Sequence, residues 1–374
     1  MVEHLIAELG EAAARPLDEA LALSPTQYTD ATLHHHELER IFATAWICLG
    51  RVDAIAEPGQ YLTGEIGEQP VAVIRQKDGS IRAFSNVCLH RMMVLLTGEG
   101  TCKRLVCPYH AWTYDLDGQL IGAPEMKNRP GFDAREMRLP DVRCEVWHGW
   151  IYVTLDNAAQ SVADSLAPLE SVVARYRMAD YVEVVRQTHV WDTNWKLLTE
   201  NFMEGYHLPV AHRQTVGAWI PLEETGFPDG VHDACTWQTF TKQPDATYGV
   251  AHPDNTHLEG QWRVTSVMPT IFPTHMYVLA PDHLWYLSLM PKGVGQVTVR
   301  FGAAIAPERL AALDDPDRFL SETVDFFDQV NDEDRFVVEG IYKGARAPLA
   351  KAGPLSWLER ELHDFHKYLA RKLS

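Results

Sequence analysis

The spacing of apolar residues changes period along the chain. Over residues 32–46, Leu33, Leu38, Ile41, Phe42 and Trp46 fall on one helical stripe, while His34, His35, Glu37 and Glu39 fall mostly off it. That pattern predicts an amphipathic helix with a solvated outer face. From about 51 to 156 the texture shortens to runs rich in Val, Ile, Thr and Tyr, such as VAVIRQ and GWIYVTL, cut by turns like KDGS and LDGQ. This reads as an all-β module. Residues 161–177 return to a helical pattern. Strands reappear over 231–307, where HLWYLSLM and QVTVRFGAAI, joined through PKGVG, predict an antiparallel hairpin. A long helical pattern over 318–343 closes the series. The sum is an α+β chain with no internal repeat and no low-complexity tract.

A length of 374 residues with 46% hydrophobic content allows two domains with proper cores. The formal charge of −18 and the lack of a Lys/Arg-rich run disfavour a nucleic-acid partner. No run of 18 apolar residues suits a membrane span, and the start MVEHLIAELGEAAARP has neither the basic nor the apolar region of a secretory signal. The expectation is a cytoplasmic protein without membrane or nucleic-acid partners. Six cysteines are too sparse for a disulfide scaffold. Cys48, Cys144 and Cys235 have no ligand-spaced neighbour and read as small core residues. His34, His35 and His36 are consecutive, so on a helix their side chains point about 100° apart and cannot converge on one ion.

Two constellations carry chemistry. In the β module, Cys88-Leu-His90 and Cys107-Pro-Tyr-His110 stand sixteen residues apart. Two thiolates and two imidazoles, delivered as pairs from two loops, match a binuclear iron–sulfur cluster with both histidines on one iron. Replacing two thiolates by neutral imidazoles removes negative charge and raises the potential, which suits an electron relay. Cys₂His₂ is also a zinc set, but these pairs lie between strands and turns with no zinc-finger helix.

Farther on, Glu200-Asn-Phe-Met-Glu-Gly-Tyr-His207-Leu-Pro-Val-Ala-His212 offers two histidines five apart. On an unbroken helix they would diverge by roughly 140°. Pro209 cannot sit in a regular helix interior, so a break could bring both rings to one metal. Two imidazoles and one carboxylate would leave positions open for oxygen and substrate.

The stretches Cys88-Leu-His90-Arg91, Cys107-Pro-Tyr-His-Ala-Trp112 and Thr-Tyr-Asp-Leu-Asp-Gly118 resemble the Rieske motif of ring-hydroxylating and related oxygenases. The segment from Asn194-Trp-Lys through Asn201, Tyr206, His207 and His212 is similar to the catalytic motif of the same family. Met92 and Met93 stand where the family usually has glycine, a departure that loses no ligand. The resemblance implies a [2Fe-2S] cluster on Cys88, His90, Cys107 and His110, and a mononuclear Fe(II) on His207, His212 and a late aspartate. Asp334 is the choice, with Asp328 and Asp332 as alternatives on the same acidic helix. Asn201 and Tyr206 become catalytic candidates. Glu204 takes the place of an acid that links a Rieske histidine of one subunit to an iron-ligating histidine of its neighbour. Cys102, between the two pairs, is expected reduced and unligated.

The resemblance further implies a helix-grip catalytic domain, an antiparallel sheet around a long helix, beside an all-β Rieske domain. The expected division is 1–45 as the helical start of the catalytic domain, 46–156 as the Rieske domain and 157–374 as the catalytic iron domain, assembled as a homotrimer. The chain has no Gly-rich dinucleotide fingerprint after a strand and no second cysteine cluster, so an NAD(P)H-dependent flavin/iron–sulfur reductase must supply electrons. With Glu in place of Asp at 204, the chain is similar to the branch oxidising quaternary ammonium compounds. The alternative is hydroxylation, dihydroxylation or O-demethylation of an aromatic acid. Trp219, Trp237, Phe240, Tyr248, Trp262, Phe272, Tyr277, Trp285 and Tyr286 are the pool from which a cation–π cage could come. Arg263, Arg300 and Lys292 are the candidate partners for a carboxylate. A simple electron carrier would need neither His207 and His212 nor the residues beyond the β module.

Overall fold

A computed structural model describes residues 2–218, 222–243 and 245–374. The chain separates into two compact units, one of Phe42–Val162 and one of Met1–Ile41 with Ala163–Ser374. The first reaches beyond the expected 46–156 at both ends. Its flanks are stitched to it: Trp46 Nε1 donates to the Gln160 carbonyl at 2.9 Å, and Val162 N–H donates to Glu145 Oε2 at 2.8 Å.

The smaller unit is all β. Seven antiparallel strands run in the order Ile47–Arg51, Trp150–Thr154, Asp141–Trp147, Ile81–Ser85, Gln69–Arg75, Gln60–Ile66 and Glu99–Thr101. Three short strands, Leu105–Val106, Thr113–Tyr114 and Leu120–Gly122, form a second sheet. Phe84, Leu105, Trp112, Tyr114, Leu120 and Leu139 make the core beneath the Cys88 and Cys107 loops. The LDGQ turn forms because Asp115 Oδ1 accepts from the backbone of Asp117 and Gln119. Gly118 completes it at φ 83°, and a Cβ there would meet the Phe84 ring at 3.0 Å.

The larger unit holds the other seven-stranded sheet, ordered Val182–Trp191, Gln296–Ile305, His283–Gly293, His275–Leu279, Thr265–Ile271, Cys235–Thr241 and Thr225–Gly226. The expected hairpin pairs His283–Gly293 with Gln296–Ile305, from Gly293 opposite Gln296 to His283 opposite Ile305. Two helices pack against this sheet. Pro316–Ala345 brings Phe327 against Trp285 and Phe301, and Arg360–Leu373 brings Phe365 against Phe272. Among the described residues no helix is long and apolar enough to cross a membrane.

The N-terminal helix differs from expectation. Ala31–Glu37 starts at Asp30, whose side chain accepts from Thr32 and Leu33 N–H, and gives way to a π-helical turn over Leu38–Phe42. His34 and Glu37 are buried rather than solvated, His36 is half-buried, and His35 stands in water. Glu37 accepts from Trp195 Nε1 at 2.9 Å and pairs with Lys196. Burial works to raise the Glu37 carboxyl, but the Lys196 charge together with hydrogen bonds from His34, Lys196 and Trp195 outweighs it and holds the group below its usual range. This pair anchors the Trp195–Phe202 helix from which the metal segment departs.

Candidate metal centres and pocket

The Cys88 and Cys107 loops have the same backbone design. Met92 N–H donates to the Cys88 carbonyl and Cys88 N–H to the Met93 carbonyl; Ala111 N–H donates to the Cys107 carbonyl and Cys107 N–H to the Trp112 carbonyl. Each loop closes through one residue at positive φ, Met92 at 58° and Ala111 at 57°. The paired loops bury Cys88 and Cys107 and leave His90 and His110 exposed, with the two imidazole centroids 4.7 Å apart. Trp112 stacks on His90 at 4.8 Å. Tyr114 accepts from Leu89 N–H at 3.0 Å and stands 3.3 Å from Cys88 Sγ, where its hydroxyl can donate to a thiolate. Two buried thiolates and two imidazoles beside each other fit a two-iron, two-sulfur cluster, in which Cys88 and Cys107 would hold one iron and His90 and His110 the other. Cys102 is half-buried and forms no disulfide. Cys144 is half-buried rather than a full core residue, while Cys48 and Cys235 are in the core.

In the larger unit the Trp195–Phe202 helix stops before Glu204, and a one-turn helix, Leu208–Ala211, follows. The break therefore lies upstream of His207, and Pro209 sits in the first turn of the new helix, where its missing N–H costs nothing. His207 immediately precedes this turn and His212 immediately follows it, so their rings meet at 5.2 Å between centroids. The Pro316–Ala345 helix supplies Asp334, whose Oδ1 lies 3.0 Å from His212 Nε2 and 3.6 Å from His207 Nε2. One donor atom from each of the three lies within 4.8 Å of the others.

Each imidazole is held from its far side. His207 Nδ1 donates to Glu204 Oε1 at 2.5 Å, and the His207 backbone N–H donates to Glu204 Oε2 at 3.0 Å. His212 Nδ1 donates to Glu333 Oε2 at 2.8 Å, and Thr215 Oγ1 donates to the same oxygen at 2.6 Å. With both Nδ1 atoms committed, both Nε2 lone pairs and the Asp334 carboxylate face one point, an arrangement that calls for a cation. The electrostatics agree. Burial works to lower the His207 pKa, yet hydrogen bonds with Asp334 and Glu204 carry it up to about 10. Burial works to raise Asp334, yet the two histidines bring it down to about 2. The residues thus fit a two-histidine, one-carboxylate metal site.

Asp328 and Asp332 do not join this set. They line an open groove on the outer side with Glu333, Val210 and Phe336. Asn201 Nδ2 stands 3.5 Å from His207 Nε2 and lines the pocket. Tyr206 is not brought to the site; it is 59% exposed. Glu333, a further acid of this helix that the sequence does not single out, orients His212.

A pocket opens from the triad between the sheet and the helices. Phe202, Phe240, Tyr248 and Trp285 give it aromatic walls, and Lys242, Ser266 and His283 add polar groups. Of the other aromatic candidates, Trp237, Phe272, Tyr277 and Tyr286 are core residues, Trp262 packs under Arg175, and Trp219 lies outside the described residues. Arg263, Arg300 and Lys292 do not line the pocket. Arg263 is spent on the carbonyls of Asn255, Leu258 and His252. Among the described residues the ammonium lining the pocket is that of Lys242, which no sequence pattern singles out.

The family profile "Ring hydroxylating alpha subunit (catalytic domain)" matches residues 178–374, and the Rieske [2Fe-2S] domain matches residues 45–137. The chain belongs to the ring-hydroxylating alpha-subunit family. Its cofactors are accordingly a Rieske [2Fe-2S] cluster and a mononuclear iron, and structural zinc is set aside. The chain is 35% identical over 238 residues to the carnitine monooxygenase oxygenase subunit of Escherichia coli K12, covering 63% of this chain and 60% of that subunit. It is 27% identical over 376 residues to the chloroplastic choline monooxygenase of Spinacia oleracea, covering 96% and 80%. A solved quaternary ammonium Rieske monooxygenase in complex with L-carnitine shares the fold at a TM-score of 0.81 and 24% identity, covering 97% of this chain and 98% of that one. Naphthalene 1,2-dioxygenase from Rhodococcus sp. shares it at 0.82 and 22% identity, covering 100% and 99%.

Proposed function

We propose that this chain is the oxygenase component of a two-component Rieske system that monooxygenates a quaternary ammonium compound, leading to C–N cleavage or N-demethylation. The observation that carries the reading is the His207–His212–Asp334 convergence at the mouth of an aromatic-walled pocket. Aromatic faces hold a trimethylammonium head by cation–π attraction, and the relatives named for carnitine and choline support the same substrate class.

Cys88, His90, Cys107 and His110 would hold the cluster, and His207, His212 and Asp334 the iron. Together these groups supply electron relay and dioxygen activation. Glu204 and Glu333 fix the tautomers of His207 and His212, so that Nε2 of each is the free donor. Asn201 stands close enough to His207 to help limit what reaches it. The pocket walls position the substrate and keep bulk water from the reacting carbon.

Electrons come from an NAD(P)H-dependent flavin/iron–sulfur reductase, and the protein works in the cytoplasm, a compartment where sparse cysteines serve as metal ligands or core residues. A head-to-tail homotrimer would bring the exposed His90, His110 and Tyr109 of one subunit to the groove beside His207 of the next. Val210 and Phe336, 83% and 81% exposed on that groove, support such a contact. Each Glu204 oxygen has a second lone pair, so it can accept from the neighbour's Rieske imidazole while holding His207.

The test is O₂ consumption by the purified protein with a reductase, comparing betaines and choline with aromatic acids. Ammonium compounds should drive coupled uptake, with about three irons per chain. Uptake coupled to aromatic acids alone, or a firm value of two irons, overturns the reading.

A further inference from the structure

The far end of the pocket has a charge that neither the metal site nor an aromatic cage uses. Lys242 follows the Cys235–Thr241 strand, two residues beyond Phe240 and four beyond Gln238. Alternation puts all three on one face. Gln238 donates to the carbonyl of Met203, in the segment leading to His207, so Lys242 lies roughly 13 Å farther along the strand direction at about 3.3 Å per residue. Its ammonium donates to Ser266 Oγ at 2.6 Å and to the Gly249 carbonyl at 3.2 Å. Gly249, at φ 64°, lets the chain come this close; a Cβ there would stand 2.7 Å from Lys242 Nζ.

Both of these partners are neutral. Among the described residues no carboxylate lies within 4.0 Å of Nζ, and an ammonium has three donors to satisfy. The nearest acid in effect, Asp282, accepts from His283 Nδ1 at 2.7 Å and is not part of the lining. His283 Nε2 in turn meets the Tyr248 hydroxyl at 3.1 Å. Lys242, Ser266, Tyr248 and His283 thus gather hydrogen-bond donors on one end of the cavity. Burial draws the Lys242 amine down to about 8, against the pull of Asp282, which is the cost of a half-buried cation without an anion. The opposite end is the reverse in sign: Glu204, Glu333 and Asp334 are three carboxylates around a site for one dication.

We infer that Lys242, with Ser266 and Tyr248 beside it, is the subsite for a carboxylate carried by the substrate. Resting on the quaternary ammonium reading, this makes the substrate a betaine, a zwitterion with its methylated nitrogen toward His207 and His212 and its carboxylate at Lys242. A choline-like alcohol has the same cation but no group for this end.

Calorimetric binding to the iron-loaded, folded protein separates the possibilities, using glycine betaine, carnitine, choline and benzoate as probes on wild type, Lys242→Met and Lys242→Arg. Wild type should bind the preferred betaine about tenfold or more tighter than choline, as a charge-assisted pair lost from a desolvated site costs at least that much. Lys242→Met should remove that advantage while leaving choline within about twofold, and Lys242→Arg should restore part of it. Visible absorption of the cluster and circular dichroism confirm that each variant is folded. Equal binding of betaines and choline by wild type, or a Met variant that weakens both alike, overturns the subsite while leaving the quaternary ammonium reading intact. Benzoate binding that depends on Lys242, with no binding of any ammonium compound, keeps the carboxylate subsite and overturns the ammonium reading instead.

Discussion

His212 is gripped by two successive residues of one helix. Glu333 takes its Nδ1 and Asp334 faces its Nε2, which is possible because adjacent helix positions differ by about 100° and so reach around a ring placed between them. Removing Glu333 leaves all three proposed ligands in place but frees the His212 tautomer. Glu333→Leu is therefore expected to weaken iron binding by about 10- to 100-fold, read as metal content after dialysis against a chelator, with the cluster spectrum unchanged. Retention of wild-type iron would show that Glu333 is only a partner of Thr215. The two histidines and the acidic patch were visible in the sequence, but Glu333 was not separable from Asp325, Asp328 and Asp332 there. Five acids on one helix look alike until the helix's rotation against His212 is known. Lys242 was hidden for a related reason, since its significance comes from having no carboxylate in ion-pair contact among the described residues, a fact of three dimensions.

The two cluster loops show how an element can tolerate an unfavourable residue. The turn after each Cys-x-His or Cys-x-x-His closes through positive φ, and here Met92 and Ala111 occupy positions suited to glycine. A non-glycine residue in that region costs about 1–2 kcal/mol, partly offset because glycine loses more chain entropy on folding. Met92→Gly is accordingly expected to keep the cluster and to stabilise the loop by up to about 1 kcal/mol. A rise in the temperature at which the cluster's visible absorption is lost would report this. A clear fall in that temperature would mean that the Met92 side chain, 79% exposed in the single chain, makes contacts in the assembly that outweigh its backbone strain. At this scale the sequence was informative where local rules dominate. The Gln296–Ile305 hairpin partner, the LDGQ turn and the long helix ending at Ala345 all followed from period and turn chemistry. It was less so where distant contacts decide. The stripe over 32–46 gave no sign of the π-helical turn at Leu38–Phe42, nor of the burial of Glu37 against Lys196, a residue far along the chain. Pro209 signalled a break correctly, but proline opens a helix as readily as it ends one.

For the whole molecule, the question is which iron a given cluster serves. Glu204 makes both of its observed hydrogen bonds within its own chain, to His207, so its proposed second role requires a histidine arriving from elsewhere. In a closed head-to-tail ring the donor is the next subunit, and the transfer can be isolated by mixing defects. Cys107→Ala disables the cluster and His212→Ala the iron, and each homogeneous variant should be inactive with the reductase. In the proposed ring, equal co-expression makes about a quarter of the interfaces place an intact cluster against an intact iron. Substrate-dependent O₂ uptake near that fraction of wild type is expected from the mixture. Transfer confined to one chain predicts none, because no single chain in the mixture has both centres. Adding Glu204→Gln to the Cys107→Ala chain then tests the bridge in the subunit whose iron is intact. An amide keeps one acceptor oxygen but cannot hold two imidazole N–H groups as a carboxylate does, so the restored activity should be lost while the iron content of that chain stays unchanged. Recovery that survives this substitution would leave the ring in place and assign the electron path to a different contact.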